Sequence, residues 1–574
     1  MPLSKAHLYA WIRLNAKLYT SLPEFISTLT LSPQTLPRPN CCPSFTVFDP
    51  TDELLINSPS PFVREAWETL LEPYPGPLGC IINGIILYGC RIGYNGPHVR
   101  KISKNLSTVN LDPDTLSKML LEDLALGRIE EVTSNMPFMC SPLGFVPKPN
   151  GKLRRIHHLS HPQKSSTNNG IEEQYGYLEY SRVSEVCSFI IKAGKGCLIM
   201  KNDWEAAFRT IPVAILQRWL LGFQWNKKFY RECCLCFGLR TAPFIFNLFA
   251  EAFHWILQAW LGWVLVCHYL DDIIHIIPQS KERLVGKMIF EFLQLTTFLG
   301  IPINVDKYAC SQVEIVFGFE LNTNLFTMSI PTEKITKIHR TVKEILAVDT
   351  VKLWDLQVVA GLLSWAAPAV QLGWVFCRKI WSFFRRFDHK LPNQRHTIPK
   401  DVRDDLLWWY RLLPQFNGTK FFYEEARETY HLFTDASGTG MGGFFYHSGT
   451  SEWKQNIHRT AASRSFDAPY SHQGKLDINT YEVRAILLAF ERWGPLWRHQ
   501  HVVIRTDNSA AFRGIVKGTL DSTAANEELR KLLCLAATLD IVLAPAHIAG
   551  KDNELADALS RFDTKAVANW CPHW

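Results

Sequence analysis

The chain has 574 residues, more than one hydrophobic core usually organises, and three or four domains are predicted. Hydrophobic residues at 47% and charged residues at 20% exclude a globally disordered chain. The net charge of +7 comes entirely from the middle: residues 1–100 carry 7 Lys+Arg against 7 Asp+Glu and residues 431–574 carry 15 against 15, so the excess of 39 over 32 lies in residues 101–430 and points to a polyanion handled there. Cysteines number 15, an odd count without framework spacing, which reads as reduced thiols inside a cell. Met1–Thr30 shows no clean apolar stretch and reads as lacking a signal peptide. Phe244–Tyr269, the most apolar region, contains Glu251, Gln258 and two histidines and falls short of the ~20 apolar residues of a membrane span, so a soluble protein with no membrane partner is expected.

In chain order, the first hundred residues are Pro-rich and irregular, with breakers at Ser32–Pro50, Ser58–Pro61 and Pro73–Pro77. A helix is predicted over Phe62–Leu71 and a short strand over Ile81–Tyr88, in a packing extension of unknown role. Leu111–Leu126 has a helical pattern with an acidic opening at Asp112-Pro113-Asp114. Phe145–Lys152 reads as two extended pieces joined at a Pro149-Asn150-Gly151 turn. A strand over Cys197–Asn202 ends at Asp203, a long helix follows at Phe244–Ala259, and Trp263–Ile277 is a strand pair broken at Asp271-Asp272. Val316–Phe326 reads as a further strand pair. Residues 331–415 are helix-rich, over Thr332–Leu346, Leu353–Ala366, Trp374–Phe387 and Val402–Leu413. After Pro414–Gly418, strands at Tyr430–Phe433 and Gly442–His447 precede a helix at Thr480–Arg492 and a strand at His501–Thr506. A helix at Ala524–Leu539, a strand at Asp540–Pro545 and a helix at Asn553–Arg561 complete a β-β-α-β-α-β-α module of about 145 residues.

Two adjacent carboxylates, Asp271 and Asp272, inside so apolar a run are costly to bury unless a cation accompanies them. Neighbouring strand residues point to opposite faces, but at a tight turn both can approach a metal. Asp203, at another strand end, supplies an opposing carboxylate. This is the donor set of a two-metal phosphoryl-transfer site, where Mg²⁺ ions ~4 Å apart activate a 3′-hydroxyl and stabilise leaving pyrophosphate.

Five motifs then occur in one order: Asp203–Phe208, Phe237–Asn247, Tyr269–Asp272, Gly300–Lys307 and Val316–Gly318. In this order they resemble reverse transcriptases, specifically those of retrotransposons. The resemblance implies that Asp203, Asp271 and Asp272 hold two Mg²⁺, with Mn²⁺ a possible substitute. It implies that Phe208 is a steric gate excluding a 2′-hydroxyl, that Phe237 and Gly238 contact template and nucleotide, and that Phe317 and Gly318 form the primer grip. Lys148 and Arg154 would clamp triphosphate oxygens, the arginine with its fork. Lys307 would approach the triphosphate as a general acid. His158 stands where many relatives carry an aspartate, four residues after Arg154. With Ser165–Gly170, this makes the chain more similar to DIRS-class (tyrosine-recombinase) retrotransposons than to Ty3/gypsy-type ones, and leaves open what supports the clamp.

Four further carboxylates, Asp435, Glu482, Asp507 and Asp557, have inferred settings on a first strand, a first helix, the end of a central strand and a last helix. Converging, they would form a second two-metal cage, suited to phosphodiester hydrolysis. Residues 430–562 resemble ribonuclease H at every matched catalytic position. The resemblance implies two more Mg²⁺ on these acids and assigns His547, in Pro545–Gly550, to turnover or product release.

Other patterns are set aside. Gly438–Gly443 fits G-x-G-x-x-G, but strand rather than helix follows it. Cys233-Cys234-Leu235-Cys236 and the His157, His158, His161 group each lack a second half at zinc spacing.

The expected fold is an α+β right-hand polymerase of fingers, palm and thumb, followed by an α/β ribonuclease H-like domain. Residues 1–100 form an N-terminal extension, 101–322 fingers and palm, 323–427 a helical thumb and connection, and 428–574 the nuclease. The expected function is RNA-directed DNA synthesis on an RNA template from a DNA primer and dNTPs, with cleavage of the RNA strand of RNA–DNA hybrids. A catalytically silent nucleic-acid-binding scaffold and a nuclease with an inactive polymerase are the alternatives. The expected location is intracellular, in cytoplasmic retroelement particles or the nucleus.

Overall fold

A computed structural model describes residues 43–51, 60–133, 139–147, 151, 153–388, 391, 393–422, 428–447, 464–469 and 477–570. The chain divides into two compact units, Met1–Glu314 with Asn322–Asn324, and Ile315–Leu321 with Leu325–Trp574. Among the described residues no helix is long and apolar enough to cross a membrane.

The first unit is organised by the helix Ala242–Leu261. Pro243 occupies its first turn, where no backbone N–H is needed, and Gly262 ends it at φ +66. Phe246, Phe249 and Phe253 are buried along it in the main core. An antiparallel sheet belongs to the same core, with the order Ala309–Ser311, Leu198–Asp203, Asp272–Ile277, Val266–Tyr269. A second sheet runs Lys101–Ile102, Met139–Cys140, Gly222–Trp225, Lys228–Glu232, Ile129–Val132. The hairpin Leu143–Pro147/Leu153–His157 pairs Val146 with Arg154. Pro149 and Asn150, which with Gly151 make the predicted turn, lie outside the described residues, as does Lys148.

The segment after residue 60 is built into this core. Trp67 Nε1 donates to the Leu299 carbonyl at 2.9 Å, and the Val63 amide donates to the same carbonyl at 3.1 Å. At Gly300 (φ +73) a Cβ would overlap the Pro61 carbonyl oxygen, so the close approach demands glycine. The strand expected at Ile81–Tyr88 is instead part of a helix, Leu78–Tyr88. A short apolar run has no period that separates a buried strand from a buried helix. Here Ile81, Ile82, Ile85 and Ile86 bury at helical spacing, and Gly89 (φ +73) ends the element.

In the second unit, helices Thr332–Leu346 and Leu353–Ala366 form as expected, whereas the helix expected over Val402–Leu413 runs Lys400–Phe416, with Pro414, read as a break, inside it. The helix expected over Trp374–Phe387 is reduced to Arg378–Phe383 between short 3₁₀ turns. The nuclease-like module is a five-stranded sheet ordered Arg464–Pro469, Gly440–His447, Thr429–Ala436, His501–Thr506, Val542–His547. The first three strands are antiparallel and the last two run parallel to the third. Arg464–Pro469 and the helix Ser509–Lys517 are additional to the expected elements. Gly442 and Gly443 sit within a strand; a Cβ on Gly442 would collide with the Ser560 amide, so this glycine admits the helix Glu554–Ser560.

Helix Lys400–Phe416 is joined to helix Thr523–Thr538 by a buried ion pair: Arg530 Nη1 lies 2.7 Å from Oδ1 of Asp405, a residue with no exposed surface. Burial pushes the Asp405 carboxyl up to about 7, with Arg530 pulling the other way. A folded-state pKa above the ordinary carboxyl value means a contribution fully present below ~4 that is lost as pH rises through about 7. Arg530→Met removes the opposing charge at a cost of roughly 3–5 kcal/mol, tempered where the carboxyl can take up a proton. Thermal unfolding should therefore show a larger loss of Tm at pH 8 than at pH 5.5, and an equal loss at both would refute this account of the pair.

Candidate active sites

In the first unit, Asp203 and Asp272 are direct partners across antiparallel strands, and Asp272 also pairs with Tyr269. Between Tyr269 and Asp272 the chain turns through Leu270 at φ +52, which places Asp271 at the turn. Asp271 is tied back by its carbonyl, which accepts from the Trp204 amide at 2.9 Å. Trp204 is buried among Phe62, Phe246 and Phe253, so an aromatic foundation lies directly beside the carboxylates. Burial, then the charges of Asp203 and Asp272, pushes Asp271 up to about 6. Burial also raises Asp272, against the pull of Lys201. Lys307 Nζ donates to Asp203 Oδ1 at 2.6 Å. Burial works against the ammonium, but the hydrogen bond and charge of Asp203 hold its pKa above the ordinary value.

The aromatic and cationic residues matched from the sequence gather on one wall. The Phe208 ring lies 5.1 Å from Phe237 and 5.8 Å from Phe246, and the Arg154 guanidinium sits 5.1 Å over Phe237. Phe237 is 42% exposed, so the wall is open to a ligand. Gly238 has φ +109, and a Cβ there would strike the His157 carbonyl oxygen. Lys148 is outside the described residues. Phe317 (φ +50) and Gly318 (φ +87) form the turn between Val313–Val316 and Phe319–Asn322, and a Gly318 Cβ would come within 2.9 Å of the Trp365 ring.

In the second unit, ligand atoms of Asp435, Glu482 and Asp507 all lie within 4.8 Å of one another. Ser560 Oγ donates to Asp435 Oδ2 at 2.7 Å, and Asn553 Nδ2 donates to Asp507 Oδ1 at 3.3 Å. Glu482 Oε2 is buried with no hydrogen-bond partner among the described residues. Burial, then Asp435 and Asp507, pushes the Glu482 carboxyl up to about 9. Three mutually repelling carboxylates, one with an unanswered oxygen, fit a divalent cation. Asp557 stands outside this group; its Oδ1 accepts from Arg561 Nε at 2.8 Å, and its side chain is half-exposed. His547 is exposed at the end of its strand, with Nε2 donating to the Asp507 carbonyl at 3.1 Å. Ser560, Asn553 and Arg561 were not singled out from the sequence, although Ser560 lies one helical turn beyond Asp557 and faces the same strand.

His157 and Cys236, one from each of the two sets dismissed for zinc, come together with Glu232 within 4.8 Å. The charge around them is adverse to a cation, since Arg155 and Arg209 both lie against Glu232 at 3.1 and 2.6 Å. Burial also raises the Cys236 thiol, which keeps it protonated.

Two family models match the chain: "Reverse transcriptase (RNA-dependent DNA polymerase)" over residues 146–321 and "RNase H-like domain found in reverse transcriptase" over residues 425–531. The second match includes Asp435, Glu482 and Asp507 and ends before Asp557. No curated protein matches the chain. Among solved structures, the foamy viral protease-reverse transcriptase dRH in complex with ds DNA is similar at 15% identity, over 84% of this chain and 81% of that one, with a TM-score of 0.45. The foamy viral protease-reverse transcriptase in complex with dsDNA is similar at 14% identity, over 84% and 97%, with a TM-score of 0.44. The chain carries a reverse transcriptase domain followed by an RNase H-like domain, both of retroelement type. These domains indicate an enzyme of this kind, and both families are typically divalent-metal dependent.

At pH 7 in metal-free protein the Glu482 carboxyl holds its proton, so a divalent cation bound there must displace it. Mg²⁺ affinity should rise with pH up to about 9 and binding should release a proton. Calorimetry in buffers of different ionisation enthalpy measures this, using Asp271→Asn protein to silence the first site. Release that is absent, or unchanged in Glu482→Gln added to that background, would refute it.

Proposed function

We propose that the first unit extends a DNA primer on an RNA template, using dNTPs, and that the second cleaves the RNA strand of the resulting hybrid. The observation that carries this reading is the Asp203–Asp272 register, with Asp271 at the intervening left-handed turn. Two Mg²⁺ on Asp203, Asp271 and Asp272, replaceable by Mn²⁺, would activate the 3′-hydroxyl and stabilise departing pyrophosphate. Lys307, held charged beside Asp203, is placed to donate a proton to that leaving group. The Arg154 fork binds triphosphate oxygens, with Lys148 assisting. Phe208, backed by Phe246, fills the space a 2′-hydroxyl would need. Phe237 and Gly238 complete the nucleotide wall, and Phe317 and Gly318 steady the primer.

In the second unit, Asp435, Glu482, Asp507 and Asp557 would hold two Mg²⁺, which would supply the activated water for hydrolysis, and His547 would assist product release. His158 and Ser165–Gly170 support a DIRS-class retroelement source, with Ty3/gypsy-type next. The reduced cysteines support action inside the cell, in cytoplasmic particles or the nucleus.

Primer extension on an end-labelled RNA template, with Mg²⁺ and dNTPs, tests both halves together. Asp271→Asn should abolish extension and spare cleavage, whereas Asp435→Asn should do the reverse. Wild-type protein that binds hybrid but performs neither reaction would overturn the reading. Phe208→Ala should admit ribonucleotides while changing dNTP use by less than about tenfold. Unchanged sugar selectivity in that variant would place the gate elsewhere.

A further inference from the structure

Four charged side chains close into a ring beneath the nucleotide wall. Arg155 donates a hydrogen bond to Asp123 at 2.7 Å and lies 3.1 Å from Glu232 as an ion pair, and Arg209 donates to Glu232 at 2.6 Å and lies 3.3 Å from Asp123 as an ion pair. None of the four is more than 15% exposed, and Glu232 is 1% exposed. The charges balance, two guanidiniums against two carboxylates, and the planar forks fix orientation as well as distance. Arg128 Nη1 lies 3.7 Å from Asp123 at the edge of the ring. His157 stays neutral below it: burial pushes its pKa down to about 4, and Nε2 donates to the Gly222 carbonyl at 3.1 Å.

The positions of the two arginines give the ring its consequence. Arg155 follows Arg154 in the hairpin strand Leu153–His157, and Arg209 follows Phe208 in the turn Ala207–Thr210. On the strand, adjacent side chains leave on opposite faces, so anchoring Arg155 inward directs Arg154 outward, where it is exposed over Phe237. Asp123 comes from the helix Pro113–Ala125 and Glu232 from the strand Lys228–Glu232. One charge-balanced ring thus holds the residue beside the triphosphate-binding arginine and the residue beside the sugar gate.

We infer that Asp123, Arg155, Arg209 and Glu232 are positioning residues that lock Arg154 and Phe208 into one geometry, so that sugar selectivity depends on the ring. The inference rests on the nucleotide site proposed above. It also supplies what His158 leaves open, a support for the clamp built from the neighbouring strand positions.

The test uses the full chain carrying Asp123→Asn, which removes the most exposed acid, and Arg155→Lys, which keeps the charge but loses the fork. Hybrid cleavage by the second unit serves as the control for folded protein. The expected result is a rise of about tenfold in the dNTP KM with kcat changed by less than about twofold, and a loss of about tenfold in discrimination against ribonucleotides. Arg155→Lys should show the smaller effect. Amide hydrogen exchange should rise together over residues 153–157 and 207–210 in Asp123→Asn, a readout that needs no polymerase activity. Exchange that rises in neither segment, or in one alone, overturns the inference. So does unchanged selectivity in both variants when Phe208→Ala does admit ribonucleotides. If Phe208→Ala itself leaves selectivity unchanged, the gate has failed and the coupled exchange alone decides the ring.

Discussion

Asp203 and Asp272 face each other across paired strands with Asp271 at the adjoining turn, so the first site is assembled against its own repulsion. Two like charges about 4 Å apart at an effective dielectric of about 20 repel by roughly 4 kcal/mol. What opposes this is the apolar mass beside it. Trp204, next to Asp203, packs with Phe62, Phe246 and Phe253, and each buried side chain of this size contributes roughly 1.5–3 kcal/mol. A few such rings outweigh the repulsion. This gives the residues after position 60 a purpose without chemistry of their own: Phe62 and Trp67 belong to the foundation on which the carboxylates rest.

The second site meets the same constraint by distributing it unevenly. Asp435 has the Ser560 hydroxyl and Asp507 the Asn553 amide, while Glu482 Oε2 has no donor. The cost therefore concentrates on Glu482, whose carboxyl is pushed up to about 9 by burial and by the charges of Asp435 and Asp507. In the first site Lys307 answers Asp203, and Asp271 is the group pushed up to about 6. In both, one carboxyl is left as the place where a cation gains most.

Much of this was legible in the sequence because it is local. Strand ends at Asp203 and Asp507, the Asp271 turn and the helices Thr332–Leu346 and Leu353–Ala366 follow from pattern and breakers within a few residues. Ile81–Tyr88 was misread as a strand although Asn83-Gly84 breaks the run and leaves Ile81, Ile82, Ile85 and Ile86 at helical spacing. Arg464–Pro469 and Ser509–Lys517 were passed over, the second being capped by Asn508, a signal visible in sequence. The charge ring was invisible for another reason. Its members span residues 123 to 232, and only folding shows that Arg155 and Arg209 meet the same two acids. None of the four was singled out in the sequence.

Burial sorts the cations of this molecule into fixed and exchangeable ones. Arg155 and Arg209 are nearly enclosed, and removing a partner there strands a charge in low dielectric, so they act as permanent struts. Lys307 and Arg561 are about 60% exposed; the Arg561–Asp557 pair is a surface pair of the kind that contributes about 0–1 kcal/mol, whereas the Asp203 that Lys307 meets is only 6% exposed. Both side chains reach solvent, so Lys307 and Arg561, which neutralise Asp203 and Asp557, are freer to yield than the enclosed Arg155 and Arg209. A polymerase of the kind proposed would need both properties at once, since its metal and substrate would come and go each cycle while the residues beside its nucleotide stay fixed.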